Sequence, residues 1–581
     1  MVIKQNQKLA LFFAMVLVGS VMALFINTTF QISSVNSESR NDFDRGSLKT
    51  AAILTDFLID DTGSDNWTWA KINGYCTGFG TPGSPYLIQN QIFEYSIAMG
   101  NSLTIINSRK YFILRNCTFR NADMSSYGLY MLNVTNGLID DCFAVNNLWS
   151  GDTGIFMENV NDTEIRDSYI HDNTNNGVHL VNSHYNTITG NNISANLAMG
   201  IYLDQSTHNT ILNNDLNDNT AMGLLVVTES NDNTISDNTI NKNLAYGIYF
   251  DNSHDNTVSN NELIGNTAMG IYINGANRNI LSLNIANEHT VFGIYLEAGC
   301  ENNTVSENTA NNNEVFGIHD FSGIRNEYKN NIVNNNTVAG LYLISCAHSL
   351  IMDNTAYNNS LFGIYLGGSM NITCIGNIVY ENVFHGINLE GTTGSKVEEN
   401  DAHHNGIDGI RLSSSSSNVL KSNFAHHNNN SGILLTSSSD SNLLTSNTAS
   451  DNLGHGIFTD SCSGITITGN TANNNELNGI HLFGGVFNHI ISNTANNNKN
   501  GTFLDSCTFT IVAHNVFLNN DACYNETGGA DNLFEDNICT ALGGGGGITV
   551  DMSVVLLIIS IIEAIALVAI VAFIFLKKRK S

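Results

Sequence analysis

The sequence has little charge and almost no proline. Charged residues make up 13% of its 581 positions, and Pro82 and Pro85 are its 2 prolines. Basic residues are especially scarce: 23 Lys and Arg stand against 52 Asp and Glu, a net charge of -29, and only five basic residues fall between positions 177 and 400. A surface so poor in positive charge repels phosphate, which argues against nucleic acid as a partner.

Familiar metal-binding signatures are also missing, because neither CxxC nor HExxH occurs. Hydrophobic residues nevertheless make up 42% of the chain, which is enough to build a core. This content separates the chain from disordered Asn-rich tracts.

What the sequence does contain is one unit that recurs about every 23 residues. "AMGIYLDQS" from Ala198 returns as "AYGIYFDNS" from Ala245 and as "LFGIYLGGS" from Leu361. A marker glycine identifies each copy: Gly128, Gly154, Gly177, Gly200, Gly223, Gly247, Gly270, Gly293, Gly317, Gly340, Gly363, Gly386, Gly409, Gly432, Gly456, Gly479 and Gly501. A repeat of this length predicts a solenoid in which each unit buries its apolar face against the next.

Three short strands are predicted in each unit. Alternation after the glycine, as in Ile201, Tyr202 and Leu203, indicates a strand with one buried face. Apolar residues recur twelve and seven positions before the next glycine, for example Ile211 and Leu216. No run is long enough for a helix and the signature of leucine-rich repeats is missing, so we predict an all-β fold, a right-handed parallel β-helix of about 17 coils.

Asparagine recurs nine and four positions before the marker glycine, with His289 replacing it once at the second position. We expect these to be corner residues, because Asn tolerates left-handed backbone, and we expect their amides to form ladders between coils. The extra residue of a 24-residue unit is expected in the loop that precedes these Asn. The first ladder comprises Asn191, Asn214, Asn238, Asn261, Asn284, Asn308, Asn331, Asn354, Asn377, Asn400, Asn423, Asn447 and Asn470.

Both ends of the chain are predicted to be membrane segments. The predicted organisation is a signal peptide or signal anchor at 1–26, a linker at 27–50, an N-terminal cap and first coils at 51–126, repeats at 127–520, a closing region at 521–542, a Gly-rich linker at 543–553, a transmembrane helix at 554–576 and a basic cytoplasmic tail at 577–581. This order predicts a single-pass protein of the cell membrane with its β-helix outside the cell, where sequons such as Asn371 make glycosylation an expectation.

The repeat resembles that of a known superfamily. The units "GIYLDQSTHNTILNNDLNDNTA" and "GIYFDNSHDNTVSNNELIGNTA" look like the parallel β-helix repeat of carbohydrate-binding and sugar-hydrolase proteins, particularly NosD-type periplasmic copper-binding proteins and their membrane-anchored archaeal relatives. The resemblance covers roughly Tyr111 to Asn520, and "GFGTPGSPYLIQNQIF" from Gly78 is similar to the opening of those archaeal proteins. It implies a fold, whereas no catalytic motif of a member enzyme is matched.

The second position after each marker glycine is predicted to point outward and to form a row of stacked rings. The candidate ligand-binding residues on this face are Tyr202, Tyr249, Tyr272, Tyr295, Tyr342, Tyr365, Asp204, Asp251 and Glu297. Two interpretations stay open: the rings bind glycans or a partner such as an envelope protein, or their stacking only stabilises the sheet. The leading hypothesis is a non-enzymatic binding or structural protein of the cell surface, and a NosD-like protein that binds copper or calcium is a second alternative.

Acidic residues at the fourth position occupy alternate units: Glu158, Asp204, Asp251 and Glu297. Two coils separate successive acids by about 9.6 Å, near the upper end of the range for inverting glycosidases, about 6.5–9.5 Å. Avoidance of like charges produces the same spacing. A polysaccharide hydrolase or lyase that uses these carboxylates is therefore the alternative function, and calcium is a candidate ligand of the same face.

Histidine and cysteine supply the remaining candidates. His403 and His426 lie at equivalent positions of successive units and form a candidate site for copper or zinc. In an exported chain, we expect disulfides between Cys117 and Cys142 and between Cys523 and Cys539.

Overall fold

The computed structural model describes residues 52–95, 100–123 and 125–541. These residues form a parallel β-solenoid of twenty turns, in which strands of successive turns pair in parallel. Within the described residues, no helix combines the length and hydropathy needed to cross a membrane. The predicted signal segment, transmembrane helix and basic tail lie outside the described residues.

Each turn contributes one strand to a first sheet, and in most turns this strand starts at or next to the marker glycine. Its twenty strands are Phe57–Asp60, Leu103–Ile106, Tyr127–Leu132, Thr153–Glu158, Val178–Val181, Ile201–Asp204, Leu224–Val227, Tyr246–Asp251, Met269–Asn274, Phe292–Glu297, Phe316–Phe321, Ala339–Ile344, Phe362–Gly367, Ile387–Glu390, Ile410–Ser413, Ile433–Thr436, Ile457–Asp460, Asn478–Phe483, Asn500–Asp505 and Ala522–Thr527.

The second strand of each turn belongs to a second sheet. Its twenty strands are Tyr86–Gln89, Phe112–Arg115, Gly137–Asp140, Glu164–Arg166, Thr187–Thr189, Thr210–Leu212, Thr234–Ser236, Thr257–Ser259, Ile280–Ser282, Thr304–Ser306, Glu327–Lys329, Leu350–Met352, Thr373–Ile375, Lys396–Glu398, Val419–Lys421, Leu443–Thr445, Thr466–Thr468, His489–Ile491, Ile511–Ala513 and Leu533–Glu535.

The third sheet is interrupted, and single bridges replace its strand in some turns. Its strands are Ile53–Thr55, Ile92–Glu94, Thr118–Arg120, Phe143–Val145, Tyr169–His171, Asn192–Ser194, Glu262–Ile264, Ile285–Asn287, Ile332–Asn334, Thr355–Tyr357, Ile378–Tyr380, Asp401–His403, Phe424–His426, Val516–Asn520 and Ile538–Ala541. One helix, Trp67–Ile72, follows the first strand of the first sheet. Trp67 is buried and stacks on Tyr86, so the helix packs onto the first turn of the core.

The prediction of about 17 coils was wrong, because three coils lack the marker glycine. Pairing aligns Leu103 and Phe57 with Leu129, so Ser102 and Asp56 take the glycine position in the first two coils. At the other end Gly501 is followed in register by Cys523. The segment predicted as N-terminal cap and first coils therefore contains two coils, and the segment predicted as closing region contains one.

Asparagine side chains link the coils at their corners. In the first ladder, the backbone N–H and Nδ2 of Asn331 both donate to Oδ1 of Asn354, at 2.9 Å each, and Nδ2 also donates to the Val305 carbonyl. This pattern repeats along all the predicted ladder residues and continues to Asn493, Asn515 and Asn537.

Two further ladders run beside the first. The ladder four positions before the glycine passes through His289, whose Nδ1 accepts the backbone N–H of Asn266 at 3.1 Å. A third ladder, which the sequence analysis missed, connects Asn186 through Asn209 and Asn233 to Asn326.

The corner backbone differs from the prediction. The left-handed residue is the one before the ladder asparagine: Asn213 has φ 54° and Asp218 has φ 56°. The residue before the ladder asparagine therefore makes the bend. The amide of the ladder asparagine itself points into the corner, where it forms the ladder. The extra residue of the 24-residue coils does lie in the loop before the ladders, where two left-handed residues such as Thr228 and Glu229 replace the usual one.

Only one predicted disulfide is present. Cys523 and Cys539 are bonded, whereas Cys117 and Cys142 are free and buried. Cys142 stands at the ladder position in an early coil, and its thiol donates inward to the Leu114 carbonyl at 3.4 Å. The thiol therefore takes the place of a ladder amide.

Among the described residues, Asp320 places a carboxyl group inside the core. Asp320 is 0% exposed and occupies an inward position that aliphatic side chains take in most other coils. Its Oδ2 accepts the hydroxyl of Tyr328 at 2.6 Å and Nδ2 of Asn326 at 3.0 Å, whereas Oδ1 has no partner. Burial raises the pKa of Asp320.

The ladder is expected to contribute directly to stability. Asn331→Ala leaves the two donors of Asn308 without their acceptor inside the corner, which we expect to cost about 2 kcal/mol or more. Urea unfolding followed by circular dichroism, together with hydrogen exchange of the flanking coils, measures the loss. The control Thr337→Ala removes an exposed side chain of the same coil. Equal stability of the two variants would contradict the ladder's role.

The buried carboxyl predicts a specific pH dependence. Because its folded pKa is raised, Asp320 costs no stability below its ordinary value of 3.8 but destabilises the fold increasingly as the pH rises above it. Asp320→Asn keeps an acceptor for Tyr328 and has no charge, so its stability relative to wild type should increase with pH. Thermal unfolding across a pH series checks this, with the exposed Asp237→Asn as control. A difference that does not change with pH would refute it.

Candidate functional site

The outer face of the first sheet carries the predicted ligand-binding residues. In most coils, three side chains per strand point out: the residue before the marker glycine and the second and fourth residues after it. Tyr127, Tyr130 and Leu132 illustrate the pattern, which alternates with the buried Leu129 and Met131. Parallel pairing places equivalent residues of successive coils beside one another, so the face consists of three rows.

The second-position row is a ladder of stacked rings. Tyr249 and Tyr272 have centroids 4.7 Å apart, and Tyr272 and Tyr295 are 5.2 Å apart, with interplanar angles of 9° and 12°. His179 stacks on Tyr202 at 4.2 Å, and Tyr342 on Tyr365 at 4.5 Å. Ring faces are used by other rings, so a ligand meets mainly their edges and hydroxyl groups.

Part of this row is covered. Tyr295 is only 3% exposed because it belongs to an outer apolar cluster, separate from the core, of Ala268, Val291, Phe292, Tyr295, Phe316, Ala339 and Phe362. Phe292 lies 5.0 Å from Tyr295, centroid to centroid. Burial raises the pKa of Tyr295, and it raises the pKa of Tyr342 to about 12. Tyr295 is thus a structural residue rather than an accessible ligand contact.

The acids of the fourth row stand on alternate coils, since the register runs Asp204, Val227, Asp251, Asn274, Glu297. Most of these acids accept a hydrogen bond from a neighbouring side chain. Glu297 accepts the hydroxyl of Tyr272, and Asp251 accepts Nδ2 of Asn274 at 3.0 Å.

Glu158 accepts the hydroxyl of Tyr130 at 2.9 Å, but Oδ1 of Asp204 is buried without a hydrogen-bond partner. Among the described residues, no Lys, Arg or His forms an ion pair with any of these four acids. No basic partner therefore distinguishes one of these carboxyl groups as a general acid and another as a general base.

Unpartnered polar atoms concentrate on this face. Twelve buried side-chain N or O atoms of the described residues have no hydrogen-bond partner in the chain, and seven of them belong to outward residues of the first sheet. These seven residues are Thr153, His179, Asp204, Asn388, Asp408, Ser431 and His481. Burial without a partner lowers the pKa of His179 to about 4, so this imidazole is neutral at physiological pH.

A polar patch that was not predicted from the sequence lies beyond Tyr365 on the same face. Arg411 donates from Nη1 to Oδ1 of Asn388 at 2.9 Å. One row away, Asp408 accepts Nδ2 of Asn430 at 2.8 Å and the backbone N–H of Ser431 at 3.0 Å, both on Oδ1. Its Oδ2 lies 3.2 Å from Nδ1 of His385, the nitrogen that accepts the Asp408 backbone N–H at 3.3 Å.

A sequence signal for this patch exists. The position before the marker glycine changes from Phe362 to His385, Asp408 and Ser431, and the second position changes from Tyr365 to Asn388 and then to Arg411. The change is visible only when equivalent positions of successive coils are compared, and it begins one coil after Tyr365, the last residue of the predicted ring row.

His403 and His426, the candidate metal ligands, lie on the outer side of the third sheet. Their rings stack with centroids 5.1 Å apart. Each is also joined to its neighbour, with Nδ1 of His403 2.8 Å from Nδ1 of His404, and Nδ1 of His426 2.8 Å from Nδ1 of His427. No group of three or more His, Cys, Asp or Glu in the described parts of the chain converges on a metal position. Copper and calcium binding stay predictions.

Comparison with known sequences gives two family matches. The family model described as a right-handed beta helix region matches residues 101–243, 322–457, 362–517 and 435–556, which together exceed half of the chain. The model described as a periplasmic copper-binding protein, NosD, matches residues 219–338. No curated protein matches the chain.

Several solved structures are similar at low identity. A mutant of the periplasmic alginate epimerase AlgG is 14% identical over 58% of this chain and 85% of its own, with a TM-score of 0.32. The alginate lyase of Paenibacillus sp. str. FPU-7 is 12% identical over 44% and 94%, with a TM-score of 0.29. The Vag8–C1 inhibitor complex gives 12% identity, 76% and 99% coverage and a TM-score of 0.42. Scores this low carry no argument about ligand or activity.

The difference in burial between tyrosines of one row is testable. Tyr295→Ala removes a ring from the outer apolar cluster and should cost about 3 kcal/mol, the low end for a large buried aromatic. Tyr202→Ala removes a half-buried ring that stacks only on His179 and should cost about 1 kcal/mol. Urea unfolding of both variants measures the two losses. Equal losses would contradict the distinction between covered and accessible rings.

Proposed function

We propose that the chain, which belongs to the right-handed β-helix family, is a non-enzymatic glycan-binding protein that binds through the outer face of its first sheet. The concentration of unpartnered polar atoms on that face carries the proposal. A buried polar group without a partner costs about 1–3 kcal/mol, so a fold that keeps several on one face gains most from a ligand that satisfies them.

A glycan has the chemistry that these atoms lack. Nε2 of His179 and Oδ1 of Asp204 differ in what they can accept or donate, and hydroxyl groups supply both functions. Water bridges extend such contacts to atoms just below the surface. Ring edges at Tyr202 and Tyr249 provide apolar contact area beside these polar groups.

The sugar is not expected to lie flat on a tyrosine, because the ring faces stack on one another. We expect it to run along the rows instead, touching ring edges, hydroxyl groups and the carboxylates of alternate coils. If the predicted C-terminal anchor is present, this face is displayed outside the cell.

A polysaccharide hydrolase or lyase stays the rival hypothesis. Asp204 and Asp251 are two coils apart, about 9.6 Å, but neither is paired with a base or a cation. Incubation of the chain with any glycan that it binds, followed by product sizing, tests the rival. Shortened products would replace the binding proposal with an enzymatic one.

Binding itself is tested with the purified full-length chain on a panel of neutral and acidic glycans. We expect at least one glycan to bind, and we expect Asp204→Asn and His179→Phe to change its affinity several-fold, because both alter the unpartnered atoms while His179→Phe keeps the stack on Tyr202. The matched control Asp353→Asn makes the same chemical change at an exposed corner outside the face. No binding to the panel, or equal effects of Asp204→Asn and Asp353→Asn, would reject the proposal.

A further inference from the structure

Arg411 is the single lysine or arginine in the twenty strands of the first sheet. Its side chain is half-buried, and its one hydrogen bond within the described residues is the donation from Nη1 to Asn388. No carboxylate of the described residues lies within ion-pair distance of it, although the chain has 52 acidic residues. The guanidinium group therefore keeps free donors on the face proposed to bind glycans.

The residues around Arg411 supply a second, independent observation. Asn388, Asp408 and Ser431 are each 0% exposed, and each has a polar atom without a hydrogen-bond partner: Nδ2, Oδ2 and Oγ. Register places Asn388 directly beside Arg411, and Asp408 and Ser431 precede the strands that begin at Ile410 and Ile433. One donor, one acceptor and one hydroxyl group thus lie next to an unpaired cation.

We propose that Arg411 and these residues form a subsite for a sugar that carries a carboxylate, a uronic acid unit of an acidic glycan. This inference rests on the proposed glycan-binding function and names its ligand class. The planar guanidinium group of Arg411 pairs with a carboxylate through two parallel hydrogen bonds. Sugar hydroxyl groups complete the bonding of Asn388, Asp408 and Ser431, directly or through water.

Charge selects a carboxylate over a more highly charged group. The chain carries a net charge of -29, and Glu390 lies on the same face one coil before Arg411. Each additional negative charge on a ligand is repelled by this field, so phosphate and densely sulfated glycans are disfavoured. A uronic acid combines one planar anion with several neutral hydroxyl groups, which matches the cation of Arg411 beside the amide of Asn388 and the hydroxyl group of Ser431.

A matched pair of ligands tests the subsite. Oligogalacturonate and its fully methyl-esterified form share one backbone and differ in charge at the carboxyl group. Calorimetric titration of the full-length chain should show about tenfold tighter binding of the acidic form, the effect of one lost charge-assisted contact. Arg411→Met should abolish this preference, and Arg411→Lys, which keeps the charge but loses the fork, should retain only part of it.

The control Lys421→Met removes an exposed cation from the second sheet and should leave the preference unchanged. Circular dichroism verifies that each variant is folded, and Arg411→Lys serves as the test if Arg411→Met is not. Equal binding of both ligands by wild type and by the Arg411 variants overturns the uronate subsite while leaving glycan binding intact. Failure of both ligands to bind also overturns the subsite, and the proposed function is then decided by the wider glycan panel.

Discussion

The hydrogen bonds between successive coils fix the register of each coil against the next, and with it the position of every residue. An amide such as that of Asn354 receives two donors from the coil before it and donates both to the next ladder asparagine and to a carbonyl. A coil shifted by one residue would break these bonds at all three corners and turn inward side chains outward. Insertions are therefore tolerated only where no ladder passes, and the paired left-handed residues Ala298 and Gly299 occupy such a place.

Packing of the inward side chains and hydrogen bonds of the corner amides hold the coils together. The outward positions are therefore free to vary. Two neighbouring stretches of the first sheet share one backbone register but differ in their outward side chains. Up to Phe362 the face builds an outer apolar cluster whose rings stack on one another. In the next three coils the position before the glycine carries His385, Asp408 and Ser431, and Arg411 follows in the second-position row. A single scaffold thus presents two surfaces of different chemistry along its axis.

The sequence predicts the scaffold well because its rules are local. Alternation around Ile201 and Leu203 decides which side chains are inside, and the spacing of Asn214 decides where a corner falls. It predicts less where a residue depends on neighbours one coil away. Tyr295 looks like Tyr202 in sequence, yet Phe292 packs against its ring and His319 stacks on it. Coils in which Ser102 or Cys523 replaces the marker glycine are invisible to a count of glycines.

The same dependence explains why the polar patch needs the structure. His385, Asp408 and Ser431 are 23 residues apart in sequence, and nothing within one unit distinguishes them from ordinary loop residues. Stacking places them in one column, where one oxygen of Asp408 and the hydroxyl group of Ser431 are buried without a hydrogen-bond partner. Apolar side chains at these positions would continue the apolar column that ends at Phe362 and would avoid that cost. The polar groups at these positions therefore cost stability, and the uronate subsite proposed above gives them a role that offsets this cost.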